Sequence, residues 1–407
     1  MLVSIGLVCV VGLICAGLFK QLKLPGLIGM ILAGIILGNS GFNVLDPKLM
    51  DISSEIRQIA LIIILTRAGL ALKLDDFKKI GRPAVFMSFV PAIFEIAACT
   101  FIAPLFLPLT NLEGMLLGCV LGAVSPAVIV PSMIRLINEG LGEEKKIPQL
   151  VLTGASFDDV VVISLFTVVS TFLVSGVVNF TSILLVPISI GLGIVVGLAW
   201  GYVFQLYFRK IHMRDSVKMV LLLAFSFIFV GFEKNINTIV PFSSLICVMT
   251  MAISINIFYP TLANRLSSKY NKLWVAGEVF LFVLVGASVN LSLAFKGGFS
   301  LLIVIFGALL LRICGVFVSL TKTKLNQKEK LFCAIAYLPK ATVQAAIGGL
   351  PLAMGLACGD LILTGAVVAI LVTAPLGAIL IDKTANILLT EKNRDENSCQ
   401  QEDISLK

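Results

Sequence analysis

Long apolar stretches alternate with short polar, mostly basic segments from residue 2 to residue 384. About 20 apolar residues cross the ~30 Å hydrocarbon core of a bilayer. That criterion predicts thirteen spans, near residues 2–19, 24–38, 55–72, 83–106, 112–134, 147–174, 181–208, 216–232, 238–258, 274–290, 298–320, 330–356 and 361–384. Each must be helical, because backbone in hydrocarbon has to satisfy its own hydrogen bonds. The expected fold class is therefore all-α, a polytopic membrane protein with a polar tail over residues 385–407. The first apolar run is expected to be a span rather than a cleaved signal, since no small-residue cleavage site follows Lys20.

Composition removes the alternatives. Hydrophobic residues make up 58% of the chain and charged residues 13%. A soluble domain carries about 25% charged residues. Too little polar surface remains for a soluble catalytic domain, and a disordered or collagen-like chain is excluded as well. The nine cysteines lie in or beside apolar runs, apart from Cys399 in the tail, and are expected to be packing residues rather than disulfides.

The net charge of +8 is topological rather than a nucleic-acid signal. With thirteen spans and a cytoplasmic C-terminus, 24 of the 31 basic residues fall on inner loops and the tail, among them Lys78, Lys79, Arg209, Lys210, Arg214, Lys322 and Lys324. Outer loops hold three, Lys48, Lys234 and Lys296. The asymmetry supports an outside N-terminus and a cytoplasmic C-terminus, and the plasma membrane is the expected location. The lone histidine, His212, is expected to be a solvated loop residue.

A charge inside a span is expensive and marks a cavity or a partner. Arg57, near an outer end, is expected to snorkel, and Glu278 to sit at an interface. Arg67, Glu95, Asp158, Asp159, Arg312 and Lys340 lie deeper. Asp158 and Asp159 are adjacent in GASFDDVVVISLF, and two neighbouring carboxylates in an apolar helix cannot easily both ionise without a cation. They form a site at which a cation and protons compete.

Two spans carry breaks at mid-depth, Ser125-Pro126 in GAVSPAVIVPSM and Pro339-Lys340 in AIAYLPKATVQAAIGG. Proline removes a donor and clashes with the preceding turn. A broken helix at membrane depth is tolerated only beside a protein-lined or wet cavity, the hallmark of a transporter site. Glu95 and Arg312 each lie in the span before a broken one. Spans four to six and eleven to thirteen thus read as two three-helix units of opposite orientation, an inverted repeat that would bring Glu95 and Arg312 together as an ion pair. Gly193, Gly197 and Gly201 in span seven make a close-packing face.

GAVSPAVIVPSM, GASFDDVV, ILTRAGLAL and YLPKATVQAA together resemble the cation:proton antiporters, and among them the sodium/hydrogen exchanger-domain proteins of bacteria and animal mitochondria. The resemblance runs from span two to span thirteen. It implies a six-helix ion-carrying core, here residues 83–174 and 298–384, with two crossing broken helices. The helices of 1–72 and 181–290 would form a dimerisation scaffold. It maps the family's paired aspartates onto Asp158 and Asp159, the second as principal cation ligand, and the crossing positions onto Ser125, Pro126 and Lys340. Relatives that move unequal charge usually carry lysine where this chain has Arg312; the Arg312–Glu95 combination matches the mitochondrial-type group.

The expected function is exchange of Na⁺ or Li⁺ for H⁺ by alternating access, electroneutral, without enzyme chemistry or cofactor, in a homodimer within the lipid bilayer. Asp159 would bind the ion, helped by Asp158 and by oxygens near Ser125 and Thr153, and Lys340 would offset negative helix ends at the crossing. A K⁺/H⁺ antiporter is the first alternative. A sodium-coupled solute symporter would need more polar residues in the spans. An intramembrane aspartyl protease would need its aspartates on separate helices, and Asp360 is at a membrane edge.

Overall fold

The computed structural model describes residues 1–72, 80–175, 180–237 and 242–390. Lys78, Lys79, Cys399 and the tail from residue 391 lie outside these, as do the side chains of Lys234 and Lys296. Among the described residues all regular structure is helical. The N-terminal part comprises α1 (Leu2–Gln21), α2 (Gly26–Leu37), the short α3 (Pro47–Asp51) and α4 (Ser53–Ala71). The first repeat unit follows as α5 (Arg82–Met87), α6 (Val90–Phe106), α7 (Asn111–Leu121), α8 (Pro126–Glu139) and α9 (Ile147–Ser175). The middle of the chain forms α10 (Phe180–Lys210), α11 (Asp215–Asn237), α12 (Ser244–Phe258) and α13 (Pro260–Ala287). The second unit closes the fold with α14 (Leu291–Ser319), α15 (Gln327–Ala336), α16 (Thr342–Ile347), α17 (Leu350–Ala353) and α18 (Gly359–Leu388).

Every expected span meets a helix or a broken series of helices. Among the described residues nine helical stretches are long and apolar enough to cross a membrane. Three shorter apolar ones, Gly26–Leu37, Ser244–Phe258 and Thr342–Ala353, together with Ser53–Ala71 cover the rest. Three details depart from expectation. Span four is itself broken at Ser88–Phe89, with Pro91 opening the longer helix. Helix α13 begins at Pro260, so the basic stretch before span ten is helical rather than loop. Arg57 does not snorkel: it is 5% exposed, and its Nε donates to the Ser53 carbonyl one turn back.

The glycine face of α10 packs on α12. A Cβ at Gly193 would crowd the Ser243 carbonyl, one at Gly197 would overlap Thr250 and Cys247, and one at Gly201 would overlap Met251 and Ser254. In the two units, α6 packs along α14, and α9 and α18 flank the broken helices. Both broken helices start with the same device, a reciprocal capping box: Thr110 with Glu113 for α7, and Asn326 with Glu329 for α15. The eight described cysteines are all free thiols.

Candidate ion-binding site

The first break spans Gly122–Ser125, and Pro126 opens α8 at the position where its missing N–H costs nothing. The second spans Tyr337–Ala341. The two cross. The Ser125 N–H donates to the Pro339 carbonyl at 2.9 Å, joining one break to the other. Gln344 ties the crossing further: its Nε2 donates to the carbonyls of Ala123 (2.8 Å) and Leu121 (3.2 Å), and its Oε1 accepts from the Ala341 N–H. These bonds satisfy backbone groups that the breaks free, which is the condition for a break in a dry interior.

Five charged side chains converge here, all buried. Arg312 Nη1 donates to Glu95 Oε2 at 2.5 Å and to the Gly122 carbonyl, and Nη2 donates to Asp158 Oδ2 at 2.8 Å. Lys340 Nζ donates to the same Glu95 oxygen at 2.6 Å. The Val124 N–H also donates to Asp158 Oδ2, at 3.0 Å. Glu95 is therefore shared by two cations, and Asp158 is held by one cation and one backbone donor. Among the described residues Asp159, 6% exposed, has no salt bridge, and its Oδ1 has no protein partner; Asp158 Oδ1 and Ser125 Oγ are likewise unpartnered there.

The duties differ from those expected of Lys340. The end of α7 is met by Arg312 at the Gly122 carbonyl, whereas the Lys340 ammonium is bound to Glu95. A guanidinium reaches three acceptors at once because its donors fan out in a plane; an ammonium is a point charge and suits the single carboxylate oxygen.

A sequence profile of the sodium/hydrogen exchanger transmembrane family matches residues 6–385. The chain belongs to the sodium/hydrogen exchanger family. It is 34% identical over 400 residues to human sodium/hydrogen exchanger 9B2, covering 92% of this chain and 72% of that one. It is 31% identical over 384 residues to human sodium/hydrogen exchanger 9B1, covering 90% and 73%. Its fold matches the structure of the sodium proton antiporter MjNhaP1 from Methanocaldococcus jannaschii at pH 8, with a TM-score of 0.83, 23% identity, and coverage of 94% and 97%.

In this exchanger the fold brings together Glu95, Ser125, Asp158, Arg312 and Lys340, with Asp159 next along α9. Thr153 is buried on the same helix. Thr153 precedes Asp159 by six residues, about 9 Å along the helix and about 120° round it. Three polar residues that sequence reasoning passed over belong to the site: Gln344, Tyr337 and Thr373, whose Oγ1 accepts from the Lys340 N–H at 3.0 Å. Gln344 and Tyr337 were detectable as polar side chains in the otherwise apolar twelfth span; Thr373 carries no signal until its partner is known.

Proposed function

We propose that this protein exchanges Na⁺ or Li⁺ for H⁺, one for one, at Asp159, by alternating access. The observation that carries this is a charge count. Glu95, Asp158 and Asp159 face Arg312 and Lys340, so three carboxylates against two cations leave one negative charge when all are ionised. That charge resides on Asp159, the carboxylate without a cation, and one Na⁺ or one proton cancels it. Burying both together would leave a net positive charge in a dry site, which is costly. Asp158 and Ser125 each offer an unpartnered oxygen of the hard kind that a dehydrated alkali ion prefers.

Arginine effectively never deprotonates, so Arg312 supplies no second proton to the cycle. Lys340, bound to Glu95, is a fixed counter-charge. In this reading, residues 83–174 and 298–384 form the ion-carrying core, residues 1–72 and 181–290 form the scaffold, and thirteen spans place the N-terminus outside and the C-terminus in the cytoplasm of the plasma membrane. The protein works as a homodimer held by the scaffold. The test is to reconstitute the protein in liposomes with a pH-sensitive dye, clamp the voltage with potassium and valinomycin, and vary voltage at fixed sodium and pH gradients. A reversal point independent of voltage is expected. One that moves with voltage rules out one-for-one exchange. Replacing Na⁺ with K⁺ as the driven ion, the voltage being held at zero, tests the cation.

A further inference from the structure

Tyr337 ends α15 at the start of the second break and is completely buried. Its ring lies 5.4 Å from the guanidinium carbon of Arg312, within the range at which an aromatic face attracts a cation. Its hydroxyl end abuts α9 at Gly154, where an added Cβ would overlap the tyrosine oxygen. Gly154 precedes Asp158 by four residues, so the two share one face of α9. The tyrosine is thus wedged between the helix that carries the carboxylates and the cation that holds one of them. Three acceptors hold the Arg312 guanidinium by its two terminal nitrogens, and the ring adds a contact to its carbon. Among the described residues the Arg312 Nε has no partner, and Asp159 is adjacent to the Asp158 that Arg312 binds. A guanidinium that slipped along α9 would meet Asp159 and occupy it as an internal competitor for the transported ion.

We propose that Tyr337 is a positioning residue of the ion site, its ring seating Arg312 on Glu95 and Asp158 so that Asp159 stays free for the transported cation. The inference rests on Asp159 being the ion-binding carboxylate. The ring matters and the hydroxyl does not: Phe keeps the aromatic face, and Leu removes it while filling part of the volume. In proteoliposomes, Tyr337→Leu is expected to raise the sodium KM about three- to tenfold, the scale of a desolvated cation–π contact, with Vmax per folded protein retained. Tyr337→Phe is expected to stay within about twofold of the parent on the same scale. Should the leucine variant fold poorly, a series of ring-fluorinated phenylalanines at position 337 tests the same point at nearly constant shape, the KM rising as fluorine withdraws charge from the face. The proposal is overturned by a KM that does not move in Tyr337→Leu or across the fluorinated series, or by a Tyr337→Phe shift as large as that of Tyr337→Leu. Asp159→Asn run in parallel separates the two failures: exchange surviving in that variant removes the ion-site reading itself, whereas a dead Asp159→Asn beside an unmoved KM removes only the role of Tyr337.

Discussion

The two three-helix units use one backbone plan with opposite charges. In the first, the break at Gly122–Ser125 sends the Val124 N–H to the side chain of Asp158 on the unit's last helix. In the second, the break at Tyr337–Ala341 sends the Lys340 N–H to the side chain of Thr373 on its last helix. The span before the break holds Glu95 in one and Arg312 in the other, and these meet as an ion pair. All three carboxylates come from the first unit and both cations from the second. Neither unit could bury its charges alone. A cluster of like charges in a dry interior is prohibitively expensive, and pairing across the repeat removes most of that cost. The difference between the units lets each neutralise the charges of the other, and it leaves a single carboxylate over.

That comparison breaks hardest at the leftover charge. Asp159→Asn keeps the size of the side chain and cancels the imbalance, so sodium-driven proton flux is expected to vanish while the protein still folds. Flux measured in liposomes, beside a size-exclusion profile matching the parent, checks it. Next in size is the cross-unit pairing. Glu95→Gln strands two buried cations at once and is expected to cost about 3–5 kcal/mol. Arg312→Gln leaves Lys340 on Glu95 but frees Asp158, and its cost should be of similar size. Because the pair is in direct contact, the double variant should lose less than the sum of the two. Thermal melts in detergent decide this, and additive losses would mean that the two units do not share their charges.

Thr373→Ala removes the acceptor that stands where the first unit has Asp158. A buried amide left unpaired costs about 1–3 kcal/mol, and the loss should appear in melting temperature before it appears in exchange rate. The smallest effect is expected at Ser125. Its Oγ has no protein partner among the described residues, so Ser125→Ala breaks no hydrogen bond and should cost less stability than Thr373→Ala. Its sodium KM should rise a few-fold if that oxygen faces the ion. A melting temperature that falls sharply would instead give the hydroxyl a structural duty in the crossing.

The elements that break a local rule were visible in the chain alone. Charges at Glu95, Asp158, Asp159, Arg312 and Lys340 stand out because hydrocarbon penalises them, and the breaks stand out because Pro126 and Pro339 interrupt apolar helices. Repeated order of those features exposed the inverted repeat, and through it the meeting of Glu95 with Arg312 across 217 residues. The glycine spacing of α10 announced a packing face, but not that α12 would fill it.

What the order of residues determined by itself was therefore the class of the protein, its alternation of long apolar segments with short polar ones, and the inventory of charges that must be neutralised. Hydrophobicity and proline geometry act locally, within a span, so a sequence displays them directly. Which charge neutralises which was decided only in three dimensions. Lys340 takes Glu95 rather than a helix end, Arg312 takes Asp158 and the Gly122 carbonyl as well as Glu95, and Asp159 is left without a cation. Those assignments depend on ångström distances between residues more than 150 positions apart in the chain, set by where two broken helices cross. Electrostatic pairing in a dry interior falls steeply with separation and with loss of hydrogen-bond geometry, so it is specified by the packing of the helices and by nothing shorter in range.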